Sequence, residues 1–174
     1  MDALEAIFTR RSIRNYLDRP VETEKVQLLL KAAMIAPTTV DNRDWEFMVL
    51  TQRERLDQLS GCLNQSGKAL CRAPLAIVLC GNTDEAYRWA PDYWVEDCAA
   101  AAENILIAAN SMGLGAVWLG VYPQTDKMRR VSELLALPRH AVPFCVLSLG
   151  YPAEQHPAQA EERFDPEKVH WEQW

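Results

Sequence analysis

Histidine is scarce in this chain, and its cysteines lack the spacing that binds metals. The three histidines are His140, His156 and His170, and none has a neighbour at metal-ligand spacing. The five cysteines include no C-x-x-C pair, and an odd number does not complete a disulfide framework. We therefore expect no metal site, and reduced thiols that are mostly buried.

No apolar run is both long and uninterrupted enough to span a membrane. The longest, 98–122, is broken by Glu103, Asn104, Asn110 and glycines, so we expect it to form buried core. The first five residues include two carboxylates where a secretory signal needs an apolar segment. The sequence therefore predicts a cytoplasmic protein with no membrane partner.

Basic residues are outnumbered by acidic ones. The net charge of -6 and the pI of about 5.1 argue against nucleic acid as a partner, because that partner needs a basic face. With 174 residues, of which 49% are apolar, the chain is long enough for one domain with its own core. We expect that single domain to span 1–174.

Glycine-rich nucleotide-binding motifs and catalytic triads are also missing. The segment Gly113-Leu114-Gly115 follows a predicted helix, and Trp118 stands where a dinucleotide fingerprint needs glycine. The segment from Gly61 to Lys68 has the wrong glycine spacing for a phosphate loop, and Ala69 replaces the required hydroxyl. No serine or cysteine lies in a nucleophile context, so no catalytic side chain is assigned.

Hydrophobic periodicity predicts interleaved helices and strands. Helices are predicted near 4–8 and over 23–35, 53–60, 92–112 and 125–135. Strands are predicted over 45–49, 75–80, 116–121 and 144–149. Thr23 is the expected N-cap of the second helix. This order predicts an α+β fold in which helices flank a mixed or antiparallel central sheet.

Two features indicate a second copy of the chain. The helix predicted over 92–112 is apolar nearly all round and must be covered on every side, so we infer that it is buried in a homodimer. The chain ends in Val169, Trp171 and Trp174, whereas disordered ends are poor in tryptophan. We therefore expect this terminus to dock, and the partner subunit is one possible surface.

Arg10, Arg11 and Arg14 place three guanidinium groups within five positions, with the Ser12 hydroxyl between them. A guanidinium presents a planar fork of donors that matches phosphate oxygens. In an acidic chain this cluster predicts one small phosphate-bearing ligand. The alternative is a solvated basic turn.

Five short segments occur in a fixed order along the chain. They are the sequences RRSIRNY at 10–16, APTT at 36–39 leading to WEF at 45–47, GLGAVWLG at 113–120, LGYP at 149–152, and RF at 163–164 followed by VHW at 169–171. Together they resemble the nitroreductase family of flavin enzymes. The resemblance implies a nitroreductase-like α+β fold, an interlocked homodimer and noncovalently bound FMN at the subunit interface.

The resemblance also implies an activity. Electrons would pass from NADH or NADPH to nitroaromatics, quinones or related conjugated acceptors, with donor and acceptor binding in turn. The flavin would carry the chemistry while the protein supplies position and electrostatics, which fits the lack of a catalytic triad. Two alternatives stay open: a specialised flavin reaction on the same fold, and a flavin-binding or regulatory protein without turnover.

The resemblance assigns the cofactor contacts residue by residue. Arg10 and Ser12, with Arg11 between them, match the phosphate and ribityl side. Arg14 matches a basic position near the pyrimidine edge of the flavin, or is an ordinary surface arginine. Arg163 matches a late basic residue that returns to the phosphate, or belongs to the charged run 161–163.

Two further groups match positions around the flavin ring. Gln65 and Lys68 match an amide and a cation at its N3 and N1 edges, or lie in a plain loop. At Leu119 and Gly120 the sequence matches a turn whose backbone N–H reaches flavin N5, and glycine permits that close approach.

Thr38 and Thr39 match positions that contact the cofactor from the second subunit. The neighbouring residues depart from the family pattern, because Asp41 replaces Asn, Arg43 replaces Gln and Asp44 replaces Pro. A carboxylate near the flavin is unfavourable unless it is paired, and Arg43 is a possible partner for Asp41.

Tyr87, Trp89, Tyr93 and Trp94 match a variable region that covers the flavin face. They are predicted to stack on flat acceptors, and the equal alternative is that they are packing residues at the dimer edge.

Overall fold

A computed structural model describes residues 1–154 and 163–174. It contains five helices and four strands, together with four short 3₁₀ segments. In chain order the elements are α1 Ala3–Thr9, α2 Thr23–Met34, β1 Trp45–Leu50, α3 Arg53–Cys62, β2 Leu75–Asn82, α4 Trp94–Ser111, β3 Gly115–Gly120, α5 Thr125–Leu135 and β4 Ala141–Gly150. The 3₁₀ segments are 39–41, 64–70, 91–93 and 166–168.

The four strands form one antiparallel sheet in the order β1-β2-β4-β3. The predicted α+β architecture is therefore confirmed, and between the two possible sheet types the antiparallel one is formed. β2 and β4 are central, and nearly all their residues are buried because helices cover both faces of the sheet. β1 and β3 are the edge strands.

Two apolar clusters cover the two faces of the sheet. One lies against α3 and α5 and includes Leu59, Val78, Val117 and Leu119. The other lies against α2 and α4 and includes Leu29, Ile77, Ile105 and Leu147. Successive side chains of a strand point to opposite faces, and this alternation assigns Ile77 and Val78 to different clusters.

α4 is the most enclosed helix. Its residues alternate between fully and half buried, and Glu96 and Ser111 alone are exposed. α1, α2 and the sheet all pack against it within the same chain. The predicted burial of this helix is therefore confirmed, but its cover comes largely from its own chain. No helix of the described residues is long and apolar enough to cross a membrane.

Two local predictions are wrong. α2 begins at Thr23 with Glu22 as its N-cap residue, so Thr23 is the first helical residue rather than the cap. The Glu22 side chain makes no bond to the helix, and its carboxylate instead accepts a hydrogen bond from the Tyr151 hydroxyl at 2.6 Å. α3 continues through Gly61 to Cys62 because Gly61 does not adopt the left-handed conformation with which glycine ends a helix.

Candidate functional site

The arginine-bearing segment 10–14 lies along the open edge of β3. Ser12 forms an isolated parallel bridge with Ala116, and the Ile13 N–H donates to the Ala116 carbonyl at 2.9 Å. The extended backbone buries Ile13 in the core and leaves Ser12 and Arg14 exposed. The segment therefore lies beside the edge strand β3 through one isolated bridge, and its polar side chains face outward.

The three guanidinium groups of this segment differ in their contacts. Arg10 is half buried and forms an ion pair with Glu103 of α4 at 3.4 Å. Arg11 donates to the carbonyl oxygens of Phe8 and Arg10 at 2.9 and 2.8 Å. The Arg14 guanidinium donates to the Ser12 carbonyl at 3.3 Å and is otherwise exposed. Arg14 has the most solvent-accessible side chain of the three, and the binding of a phosphate by this segment stays a prediction.

Gly120 ends β3 at the opposite end of the same edge. A Cβ added there would meet no atom within 4 Å, so the backbone faces open space. The Lys127 ammonium group on α5 donates to the Gly120 carbonyl at 3.2 Å. Gly120 lies four positions after Ala116, which is roughly 13 Å along a strand. The side chain of Leu119 points away from this space into the core.

Gln65 and Lys68 lie in the 3₁₀ segment 64–70, which packs against β3. Both side chains are exposed. The segment is held close by Gly67, because a Cβ there would collide with the Ser60 carbonyl, and the Ser60 hydroxyl donates to the Gly67 carbonyl at 2.8 Å. The structure thus brings Gln65 and Lys68 to the edge of the sheet that also carries segment 10–14.

Thr38, Thr39 and Asp41 lie at the other edge of the sheet. They precede β1, which is separated from β3 by two strands, a spacing of about 14 Å across the sheet. Thr39 is anchored to α4, where its N–H donates to both carboxylate oxygens of Asp97 at 3.0 Å.

Asp41 is paired with Arg43, as the sequence suggested. The guanidinium donates to both carboxylate oxygens, at 2.9 and 2.8 Å. The Arg43 hydrogen bonds lower the pKa of Asp41, and the favourable charge adds to this effect. Asp41 and Arg43, two of the departures from the family pattern, thus neutralise each other's charge. The loop therefore presents no unpaired charge at Asp41.

The four aromatic residues of 87–94 do not act as one group. Trp89 is 72% exposed, with the Arg88 guanidinium 4.4 Å above its ring, and Tyr93 is also exposed. Trp94 is buried, and its ring makes edge contacts with Tyr122 and Phe144 at centroid distances of 4.9 and 6.0 Å. Of the two alternatives, stacking on an acceptor is wrong for Trp94, which packs in the core of its own chain. Tyr87 is half buried.

The C-terminal segment 163–174 is exposed along most of its length. Trp171 is 81% and Trp174 100% exposed, and the Trp174 ring stacks on His170 at 4.1 Å. Trp171 and Trp174 therefore bury little surface against the described part of their own chain, and docking on a partner subunit stays a prediction. Arg163 is also exposed, and its return to the phosphate stays a prediction.

Three residues near these positions were not found from sequence. Glu103 pairs with Arg10, Lys127 binds the Gly120 carbonyl, and Asp97 anchors Thr39. Glu103 and Asp97 lie far along the chain from their partners, whereas Lys127 lies seven residues after Gly120, and in sequence each resembles an ordinary charged residue of α4 or α5. Among the described residues no group of His, Cys, Asp and Glu could hold a metal ion.

Comparison with known proteins identifies the fold and family. The family model for the nitroreductase family matches residues 7–69 and 64–151. A curated protein of Methanothermobacter thermautotrophicus, "Putative NADH dehydrogenase/NAD(P)H nitroreductase", is 45% identical over 100% of this chain and 88% of its own.

Solved structures agree with this match. A crystal structure of the same description from Bacteroides thetaiotaomicron has a TM-score of 0.91 and 44% identity, covering 99% of this chain and 98% of its own. An FMN-dependent nitroreductase from Clostridium difficile has a TM-score of 0.90 and 34% identity, covering 98% and 99%. The chain therefore belongs to the nitroreductase family.

Proposed function

We propose that this chain is an FMN-dependent oxidoreductase that passes electrons from NADH or NADPH to flat conjugated acceptors such as nitroaromatics or quinones. The layout of the β3 edge supports this proposal. Along the edge of β3, the point where Ser12 of the cationic segment 10–14 meets Ala116 lies roughly 13 Å from the open glycine backbone at Gly120. A phosphate at one end and a flat ring at the other match the shape and charge of FMN.

The residues of this edge have separate tasks toward FMN. Arg10, Arg11 and Ser12 bind the phosphate and ribityl chain, since charge-assisted hydrogen bonds are worth about 1.5–3 kcal/mol each. The Gly120 backbone admits the ring because no side chain occupies the space above it. Arg14 and Lys68 add positive charge to the same edge. FMN, when bound, supplies the electron-transfer chemistry.

The active unit is proposed to be a homodimer. Thr38 and Thr39 precede β1, at the opposite sheet edge from β3 and segment 10–14, which supports a contribution to the cofactor site from a second chain. Exposed apolar side chains on the two helices that flank α4 support such an interface. They are Leu4, Ile7, Phe8, Leu28 and Met34.

Donor and acceptor are proposed to use the same open face in turn. The space above Gly120 is bounded by the sheet edge, and one flat molecule at a time can stack on a ring held there. The reaction would then follow ping-pong kinetics, with parallel double-reciprocal plots when one substrate is varied at several levels of the other.

The test begins with purified protein. Yellow protein that releases FMN, sediments as a dimer, is bleached by NADH or NADPH without oxygen and regains colour with a quinone or nitroaromatic would support the proposal. Colourless, monomeric protein that does not bind added FMN would refute it. Yellow protein that neither nucleotide bleaches would favour the flavin-binding protein without turnover, and bleaching with no reoxidation across the acceptor panel would favour a specialised flavin reaction.

A further inference from the structure

The loop 38–44, between α2 and β1, has an unusual backbone. Val40, Asp41 and Arg43 have φ values of 47°, 59° and 56°, in the left-handed region that disfavours residues with a Cβ. Left-handed conformations at non-glycine residues persist only where surrounding contacts enforce them. The contacts around this loop therefore maintain an unfavourable backbone conformation, and the loss of one contact should change the conformation of the loop.

Asp97 of α4 makes the central contact with this loop. Its two carboxylate oxygens each accept the Thr39 N–H at 3.0 Å, and one lies 3.3 Å from the Thr39 hydroxyl. The Asp97 side chain is buried, so these bonds are shielded from water. Asp97 thereby positions Thr39 and, with it, the start of the loop.

Asp44 lies at the other end of the loop and is only 1% exposed. Its backbone carbonyl accepts the Asn82 N–H at 2.6 Å, which ties it to the end of β2. When ionised, neither of its side-chain oxygens has a donor among the described residues. The carboxyl faces Asp97, and burial, followed by the charge and hydrogen bond of Asp97, raises the pKa of Asp44 to about 6.

The remaining groups around the pair offer no compensating charge. The Cys98 thiol faces both carboxyls, and its pKa is raised by burial first and then by Asp44, so it stays neutral. The Thr39 hydroxyl already bonds Asp97. No described Lys, Arg or His side chain forms an ion pair with either Asp44 or Asp97. Two negative charges here would repel each other in a dry site.

We propose that Asp44 and Asp97 share one proton, and that this carboxyl pair fixes loop 38–44 on α4 so that Thr38 and Thr39 are held in place. With the proton present, Asp44 donates to Asp97, and Asp97 keeps its bonds to Thr39. When the proton leaves for solvent, the two carboxylates repel and loop 38–44 loosens. The effect on flavin rests on the proposed function, which assigns Thr38 and Thr39 to the cofactor.

Asp44→Asn tests the shared proton most directly. The amide keeps a donor toward Asp97 and has no proton to lose, so this variant should behave at high pH as the natural chain does at low pH. Asp97→Asn should weaken the Thr39 contact at every pH, because an amide has one acceptor oxygen in place of two. Asp92→Asn, on the exposed 3₁₀ turn before α4, is the matched charge control.

Flavin affinity is measured by quenching of FMN fluorescence at about pH 5 and about pH 8. Ionisation of the FMN phosphate changes the FMN affinity of every protein equally. We therefore compare the ratio of the FMN dissociation constants of two proteins at each pH. At the higher pH, Asp44→Asn should bind FMN at least about threefold more tightly than the natural chain, whereas at the lower pH the two should agree. If the ratio of the dissociation constants of Asp44→Asn and the natural chain is the same at both pH values, the carboxyl pair does not affect flavin binding.

Urea unfolding of the same proteins separates this proposal from the proposed function. A raised native pKa means that the stability due to Asp44 is present below about pH 4 and is lost as the pH rises through about 6. The natural chain and Asp92→Asn should show that loss, and Asp44→Asn should not. Identical profiles would overturn the shared proton, even for protein that binds no FMN. If the pH profiles of unfolding are as expected but the protein binds no FMN, the shared proton of Asp44 and Asp97 is supported and the assignment of Thr38 and Thr39 to the flavin is refuted.

Discussion

The Ile13 amide nitrogen lies 2.9 Å from the Ala116 carbonyl oxygen, and this single bond sets the register of the arginine-bearing segment on β3. Because the segment is extended there, burial of Ile13 in the core turns Ser12 and Arg14 outward on either side of it. The packing of one apolar side chain thus determines the direction of two polar ones. Binding at this edge can then be tested one residue at a time.

Arg10→Met should weaken FMN binding roughly 10- to 100-fold, because it removes a charge-assisted bond to the phosphate. The substitution also breaks the ion pair with Glu103, so Glu103→Gln is the control for that loss alone. The pair is partly solvent-exposed and contributes little to stability, so the control should bind FMN as the natural chain does. Calorimetric titration of the flavin-free variants with FMN measures the affinity of each. Equal losses of affinity in Arg10→Met and Glu103→Gln would exclude Arg10 from the phosphate site.

Gly120→Val should weaken FMN binding by about tenfold or more while leaving the fold intact. The added side chain meets no protein atom near its Cβ, so any steric conflict is with the ligand. Gly61→Val is the matched control, because a Cβ there also faces open space, but on α3. If Gly120→Val loses stability in urea as well as affinity, or binds FMN normally, the ring does not lie above Gly120.

Much of the fold could be predicted because hydrophobic periodicity reports burial directly. The continuous apolar run at 75–80 becomes β2, buried on both faces, and the all-round apolar pattern of 92–112 becomes the enclosed helix α4. The exact boundaries followed less well: Glu22, the N-cap residue of α2, makes no bond to the helix and is bonded instead to Tyr151, 129 residues away. A local pattern does not contain such a contact.

The candidate site was predictable only as separate pieces. Motif resemblance pointed to segment 10–14 and to Gly120, but not to the distance between them, which the register of β3 fixes. Trp89 and Trp94 looked alike in sequence, yet Gly81 leaves room for the Trp94 ring to enter the core, since a Cβ at Gly81 would collide with it. Which aromatic side chain is buried depends on a neighbouring strand, and so did not follow from spacing.

The contrast between Trp89 and Trp94 gives a third prediction. Trp94→Ala should destabilise the protein by about 3–5 kcal/mol, because it leaves a cavity beside Tyr122 and Phe144. Trp89→Ala should leave stability within about 0.5 kcal/mol and raise KM for large acceptors if its ring covers the flavin. Urea unfolding and steady-state kinetics with small and large quinones measure the two effects. Loss of bound flavin in Trp89→Ala would refute its role toward acceptors.

Arg14→Gln should lower the reduction potential of bound FMN. Reduction adds negative charge to the ring, and the exposed Arg14 guanidinium is proposed to stabilise that charge from the pyrimidine edge. A nearby positive charge worth about 1–3 kcal/mol corresponds to roughly 20–60 mV for a two-electron couple. Equilibration with a reference dye during anaerobic reduction measures this shift.

Arg139→Gln removes the same charge from an exposed turn before β4 and should leave the potential unchanged. If both variants shift the potential equally, the effect comes from net charge rather than from the place of Arg14. If Arg14→Gln keeps the potential but loses FMN affinity, the guanidinium contacts the phosphate, because a bond to the phosphate holds the oxidised and reduced cofactor equally well.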